Sequence, residues 1–239
     1  MRGDLGWVGF LSRRFPICVK AQSARKKKNM KLPIVFNSST FLGRPFQVGS
    51  NLILALIFLL AVIYLAKQYV IGGQLSIIFN IIFYSLSAVC ALFRKPATKV
   101  DLSFFSWLFT FAGIALPMLL LPGGAKESLI GYFVQISGIA ISIIGLVSLN
   151  RSFGLVAAHR GIVSKGLYRF VRHPLYFSYE ISMVGFIINN FNLWNIFLFC
   201  VHICCQLQRI KYEEDLLSED GAYRQYATKT KWRLIPFLY

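Results

Sequence analysis

The residues that could do chemistry lie close together, between Ser152 and Tyr239. Arg172-His173-Pro174-Leu175-Tyr176 follows Gly166-Leu167-Tyr168. About 35 residues later comes Arg209-x-x-x-Glu213-Glu214, and Tyr223-x-x-Tyr226 and Pro236 close the chain. Proline suits the first turn of a helix, where its missing N–H costs nothing, so a helix is expected to start at Pro174 with His173 near its cap. A helix N-terminus carries free N–H groups and partial positive charge, and Arg172 adds a full one. Such a place attracts a carboxylate or phosphate. Anchoring of Arg172 and His173 to lipid head groups is the competing reading.

Arg209 and Glu213 are four residues apart and share a helix face. As a surface ion pair they are worth only about 0.3–0.5 kcal/mol. At a membrane boundary they can instead close a polar cavity, Glu213 holding a ligand hydroxyl or ammonium and Arg209 a ligand carboxylate. Glu180 falls roughly 9 Å into the same helix as Pro174, at 1.5 Å per residue. A carboxylate at that depth needs a partner or faces a cavity. It either holds the helix pair together, against His202 or Gln206, or faces a bound ligand. His202 with Cys200, Cys204 and Cys205 reads as packing on an apolar helix, not as a metal site. Five cysteines without a CxxC pair indicate neither a disulfide framework nor zinc.

These residues need apolar elements to hold them. The chain has 239 residues, 56% of them hydrophobic and 15% charged. A soluble domain carries about 25% charged residues, so a soluble or disordered chain is excluded. Val48–Ala66, Leu75–Phe93, Leu102–Leu121 and Leu129–Leu149 contain no charged residue. Each is long enough to cross a hydrocarbon core of about 30 Å, where only helices satisfy a single chain's backbone. Pro174–Phe191 and Leu193–Gln208 are shorter and more polar, with Asn189, Asn190 and Asn192 as turn residues between them. The expected fold is an all-α integral membrane protein of about six transmembrane helices, with a C-terminal helical hairpin over 174–208 and a cytoplasmic cofactor pocket.

Charge orients the spans. The net charge is +17. In a soluble chain that suggests nucleic acid; in an apolar one it suggests basic loops on an anionic membrane face, so no nucleic-acid partner is expected. Segments 1–47, 94–101, 150–173 and 209–239 hold 24 of the 26 Lys and Arg, leaving Lys67 and Lys126 for the alternate loops. The split puts both termini in the cytoplasm, and six or four spans satisfy it. Residues 1–47 are expected to be a basic cytoplasmic tail, 48–149 four transmembrane helices, and 150–239 the catalytic region. An Arg-rich transit peptide, or a start at Met30, also fits the tail.

The pattern Gly-x-Tyr, Arg-His-Pro-x-Tyr, Arg-x-x-x-Glu-Glu, Tyr-x-x-Tyr and Pro over about residues 150–239 resembles the isoprenylcysteine carboxyl methyltransferase family, which groups with the phospholipid methyltransferases. The resemblance implies S-adenosylmethionine as methyl donor. By matching position it implies cofactor contacts at Arg160, Val163, Tyr168, Arg172, His173, Pro174, Leu175, Tyr176, Glu213 and Glu214. It assigns the acceptor's carboxylate to Arg209; Glu180 matches no family position, and only its depth in the helix makes it a further candidate near the acceptor. Two positions depart from the family: Ser178 stands where a glycine is usual, and His159 is one position out of phase with the family's histidine. A sulfonium is already an activated methyl donor, so the implied reaction needs no metal, only in-line placement and exclusion of water.

The expected function is methyl transfer to the carboxylate of a lipid-tailed, isoprenylcysteine-like acceptor. N-methylation of a phospholipid head group is the alternative, and an NADPH-dependent sterol-type reductase a third. The expected partners are the bilayer and the acceptor, with no obligate protein partner. A bacterial inner membrane and the endoplasmic reticulum both suit this sequence.

Overall fold

The computed structural model describes residues 43–72, 75–121 and 128–239. Most of the expected basic tail, with the transit-peptide and Met30 readings, lies outside the described residues, as does Lys126. Seven α-helices are present among those described: α1 Gly43–Gly72, α2 Leu75–Leu92, α3 Phe104–Ala115, α4 Leu129–Leu149, α5 Pro174–Asn189, α6 Leu193–Leu217 and α7 Gly221–Lys229. Lys99–Val100 (β1) pairs antiparallel with Ala158–His159 (β2).

Local chemistry sets several of these boundaries. Pro174 occupies the first turn of α5, as expected, with no side-chain cap ahead of it. Asn192 caps α6 by accepting from the Asn195 N–H. In α3 the regular helix ends at Ala115 and tightens into a 3-10 turn over Leu116–Leu119 that contains Pro117. The uninterrupted span expected over Leu102–Leu121 is therefore broken by a proline near its end. Helix α6 runs past the expected Gln208 to Leu217, which places Arg209, Glu213 and Glu214 on regular helix.

Six helices alternate in direction between two ends. At one end, Lys95 N donates to Arg151 O (2.7 Å), Thr98 N to His159 O (2.9 Å) and Arg172 N to Trp232 O (3.0 Å). Arg94 beside them reaches back to Ser50 (2.9 Å) and Asn51 near the start of α1. At the other end, Leu121 N and Ser128 N donate to Asn195 Oδ1 and Asn189 Oδ1, both at 2.9 Å. Segments 94–101, 150–173 and 209–239, basic in sequence, thus gather at one end. Among the described residues, three helices are long and apolar enough to cross a membrane: Gln47–Ile71, Leu129–Ser152 and Leu193–Leu217. Ile77–Leu92 and Phe104–Leu119 are apolar but shorter. Helix α5, with 16 residues, extends about 24 Å, less than a hydrocarbon core of about 30 Å.

Helix α1 packs on α2, α2 on α4, α4 on α5, and α3 on α6. The α4–α5 contact is close because glycines recur every seven residues on α4 at 131, 138 and 145. A Cβ on Gly138 would stand 2.5 Å from Ser182 N and 2.9 Å from Ser178 O. This is the small-residue packing that membrane helices use in place of a hydrophobic drive. Ser178 belongs to the same seam: fully buried, it bonds Ser142 Oγ at 2.6 Å and its own helix at Leu175 O, 2.7 Å away.

Candidate functional site

At the basic end a cavity is walled by the loop Ser152–Val156, by Arg160–Val163, by the first turns of α5 and by the end of α6, with Tyr223 and Tyr226 of α7. Gly166 makes the turn that delivers Tyr168. Its φ is +59°, and a Cβ would press 2.9 Å from Ser148 Cβ, so glycine is required twice over. Tyr226 Oη donates to Tyr168 O (2.7 Å) and ties α7 to this turn.

The backbone just ahead of α5 is tied to the C-terminal segment. Arg172 N and His173 N donate to Trp232 O (3.0 Å) and Arg233 O (2.8 Å), so the chain's own C-terminal segment takes both groups. The charge on Arg172 is also matched, by an ion pair to Glu214 Oε1 at 3.1 Å. Glu214 accepts from His173 Nε2 (3.1 Å) and from Arg233 Nε (2.8 Å) as well. It therefore stands behind the cavity wall and locks three segments together. Pro174 is buried and does not line the cavity either. Arg160, Val163, Tyr168, Arg172, His173, Leu175, Tyr176, Arg209 and Glu213 do line it.

Arg209 and Glu213 share a face but make no ion pair within 4.0 Å among the described residues. Tyr176 sits between them. Its hydroxyl donates to Glu213 Oε2 (2.9 Å), while the Arg209 guanidinium carbon lies 4.9 Å from its ring centroid. The His173 ring stacks on Tyr176, centroids 5.6 Å apart. Arg209 is 7% exposed. It donates through Nη1 to Gln206 Oε1 (2.8 Å) and through Nη2 to Leu155 O (3.1 Å), and its buried Nε has no partner.

Two further buried groups at the cavity lack partners, Arg160 Nε and Tyr223 Oη. Burial, and then the charge of Arg94, pull the Arg160 guanidinium down to about 10, against an opposing pull from Glu213. Burial pushes the Tyr168 and Tyr223 phenols well up, helped by nearby carboxylate charge, and burial pushes Tyr226 up to about 12. These phenols are proton donors at neutral pH, not bases.

Glu180 lies outside this cavity. Its Oε1 is 3.0 Å from His202 Nδ1, so it joins α5 to α6 by one of the two partners the sequence proposed. His159 also stays outside, 2.7 Å from Asp220 Oδ2 and 3.0 Å from Thr98 Oγ1. The sequence did not single out Tyr179 or the loop Ser152–Val156. A backbone carbonyl such as Leu155 O leaves no side-chain signal. Tyr223 stood in the motif but carried no role there.

Beside the cavity, and sharing Leu155, Val156, Ala158 and Arg160 with it, a groove of about 500 Å³ runs between α1 and α3. Ile53, Leu54, Ile57, Trp107 and Phe111 make its walls apolar, and Arg94, Lys95 and Arg160 stand at its cavity end.

Residues 130–219, from the start of α4 to just past α6, match the sequence model of the isoprenylcysteine carboxyl methyltransferase (ICMT) family. This is the family that the motifs resemble, and the match supports a membrane methyltransferase. No curated protein sequence matches the chain.

Proposed function

We propose that the protein transfers a methyl group from S-adenosylmethionine to the carboxylate of a lipid-tailed acceptor. The observation that carries this reading is Arg209, a buried cation beside the cavity with no carboxylate partner among the described residues. An unpaired buried charge is costly, and an anionic ligand would remove that cost. An ammonium acceptor would raise it.

The cavity suits the cofactor. The unpartnered Arg160 Nε and Tyr223 Oη are donors for its carboxylate. Glu213 is an acceptor for its hydroxyl or ammonium groups, and the rings of Tyr168 and Tyr176 suit a sulfonium. Val163 and Leu175 add apolar wall and exclude water. Arg172, His173, Pro174 and Glu214 act by holding that wall in place. When bound, S-adenosylmethionine supplies an activated methyl group, so the chain has only to hold the nucleophile in line with it. A carboxylate requires no deprotonation at neutral pH, which agrees with phenols that stay protonated. The α1–α3 groove would take the acceptor's tail and bring its anionic head past Arg94 and Arg160. We place this end, with both termini, on the cytoplasmic side of six spans, because the basic segments gather there.

The test uses protein purified in detergent, labelled S-adenosylmethionine, and two acceptors: N-acetyl-S-farnesylcysteine and phosphatidylethanolamine. The farnesyl carboxylate should be methylated. Arg209→Gln should lower kcat/KM at least about a hundredfold, some 2.7 kcal/mol, with cofactor Kd within about twofold of the parent. Methylation of the amine alone, insensitive to Arg209→Gln, would overturn the carboxylate reading.

A further inference from the structure

Behind Arg209, away from the cavity, lies a row of buried polar groups that the reaction above does not use. Gln206 and His202 are 2% and 1% exposed. Gln206 Oε1 accepts from Arg209 Nη1 at 2.8 Å, and its Nε2 lies 3.2 Å from His202 Nε2. His202 Nδ1 is 3.0 Å from Glu180 Oε1. The row spans α6 and α5 and is closed on the third side by α3. There Gly113 O lies 3.1 Å from His202 Nε2, and a Cβ on Gly113 would come 3.1 Å from Arg209 Nη1.

Proton counting sets the order of this row. Arginine only donates, so the Gln206 amide must turn its oxygen to Arg209 and its NH₂ to His202. His202 Nε2 can take that N–H only as a bare nitrogen. Gly113 O makes the opposite demand on the same atom. Pro117, four residues on, has no N–H to offer this carbonyl, so it needs a donor from outside the helix. One imidazole nitrogen thus faces a donor and an acceptor and cannot serve both. With the ring proton on Nδ1, 3.0 Å from an ionised Glu180 but not aligned on it as a hydrogen bond in this structure, Nε2 is free for Gln206. With the proton on Nε2 and Glu180 protonated, Gly113 O is served and Gln206 loses its acceptor. The positive charge on Arg209 favours the first arrangement, which puts negative charge on Glu180. A carboxylate that selects a histidine tautomer, and so orients the next ligand in the row, is a recurrent device at metal sites and catalytic triads.

We propose that Glu180, His202 and Gln206 are positioning residues that aim the Arg209 guanidinium at the acceptor's carboxylate. This rests on the methyl-transfer reading above. None of the three lines the cavity, so their effect reaches the acceptor only through Arg209.

The chain has three histidines, so ¹⁵N-histidine labelling with single substitutions assigns each ring. In the parent protein His202 should appear as the neutral tautomer protonated on Nδ1. In Glu180→Gln the proton should move to Nε2, and the KM for N-acetyl-S-farnesylcysteine should rise about tenfold with the S-adenosylmethionine Kd unchanged. Gln206→Glu puts a carboxylate where the amide oxygen meets Arg209 Nη1. It should occupy the guanidinium and raise the acceptor KM at least about tenfold while the melting midpoint holds or rises. A merely structural row would leave KM alone in so stable a variant. An unchanged acceptor KM in both variants, an Nε2 tautomer in the parent, or a matching loss of cofactor affinity would overturn the proposal. A parent protein that neither binds S-adenosylmethionine nor methylates the probe would sink the methyltransferase reading and the positioning role together. An active parent whose variants keep their KM would sink the row alone.

Discussion

Two helices of the same candidate span length, 25 residues, differ in almost everything else. Gln47–Ile71 of α1 is apolar without interruption from Leu52 to Ala66, and Leu52, Ile53, Leu56, Leu60, Ile63 and Tyr64 are exposed along it. Its one buried polar side chain among the described residues, Asn51, is taken up by Leu92 O and Arg94. Leu193–Leu217 of α6 carries a buried polar spine of Asn195, His202, Gln206, Arg209 and Glu214. Each polar group inside a membrane protein must find a partner or a ligand, so polar side chains persist where they are used. Apolarity shows where the chain can lie in a membrane; polar residues at the same depth show where it can work.

Three substitutions would break or sharpen this contrast. The largest effect on stability is expected at Glu214, where one carboxylate meets Arg172, His173 and Arg233. Glu214→Ala should cost about 3 kcal/mol, because it leaves the largely buried Arg172 charge and the buried His173 ring without their partner. Thermal or denaturant unfolding in mild detergent checks it, and a near-native midpoint would mean that the α6 spine is ornamental. A smaller loss, about 2 kcal/mol, is expected for Gly138→Val, whose added methyls must push α4 off the Ser182 backbone. The same unfolding curves test it, and unchanged stability would show that the α4–α5 seam tolerates volume. The smallest effect belongs to α1: Leu60→Ala, at 56% exposure, should shift stability by less than about 0.5 kcal/mol. A loss there as large as that of Gly138→Val would mean that the outer face of α1 is packed against protein, and the contrast would fail.

Much of the frame was legible in the sequence. Apolar runs without charge became helices, and Pro174 and Asn192 began theirs where their backbone chemistry predicts. Gly166 made the left-handed turn before Tyr168. The motif residues that line the cavity came from one short stretch and one helix, so spacing alone brought most of them to the same end. Other expectations went astray for local reasons. The span over Leu102–Leu121 was broken by Pro117, and Pro174 and Glu214 turned out to stand outside the cavity lining.

The sequence by itself determined that the chain is helical and apolar, that its basic segments fall in alternate connections, and that Arg209, Glu213 and Glu214 lie on one helix after the Arg-His-Pro turn. These follow from composition and period, which act over neighbouring residues. Only the tertiary structure decided that Glu214 turns behind the wall while Glu213 faces the cavity. It alone put Tyr176 between Arg209 and Glu213, and Glu180 on His202 instead of in the cavity. Each of those outcomes depends on which way a side chain leaves its helix and on what a remote segment offers there. The carbonyls of Leu155, Gly113 and Arg233 meet residues 54, 89 and 60 positions away. A backbone oxygen has the same sequence signature everywhere, so packing alone reveals its partner.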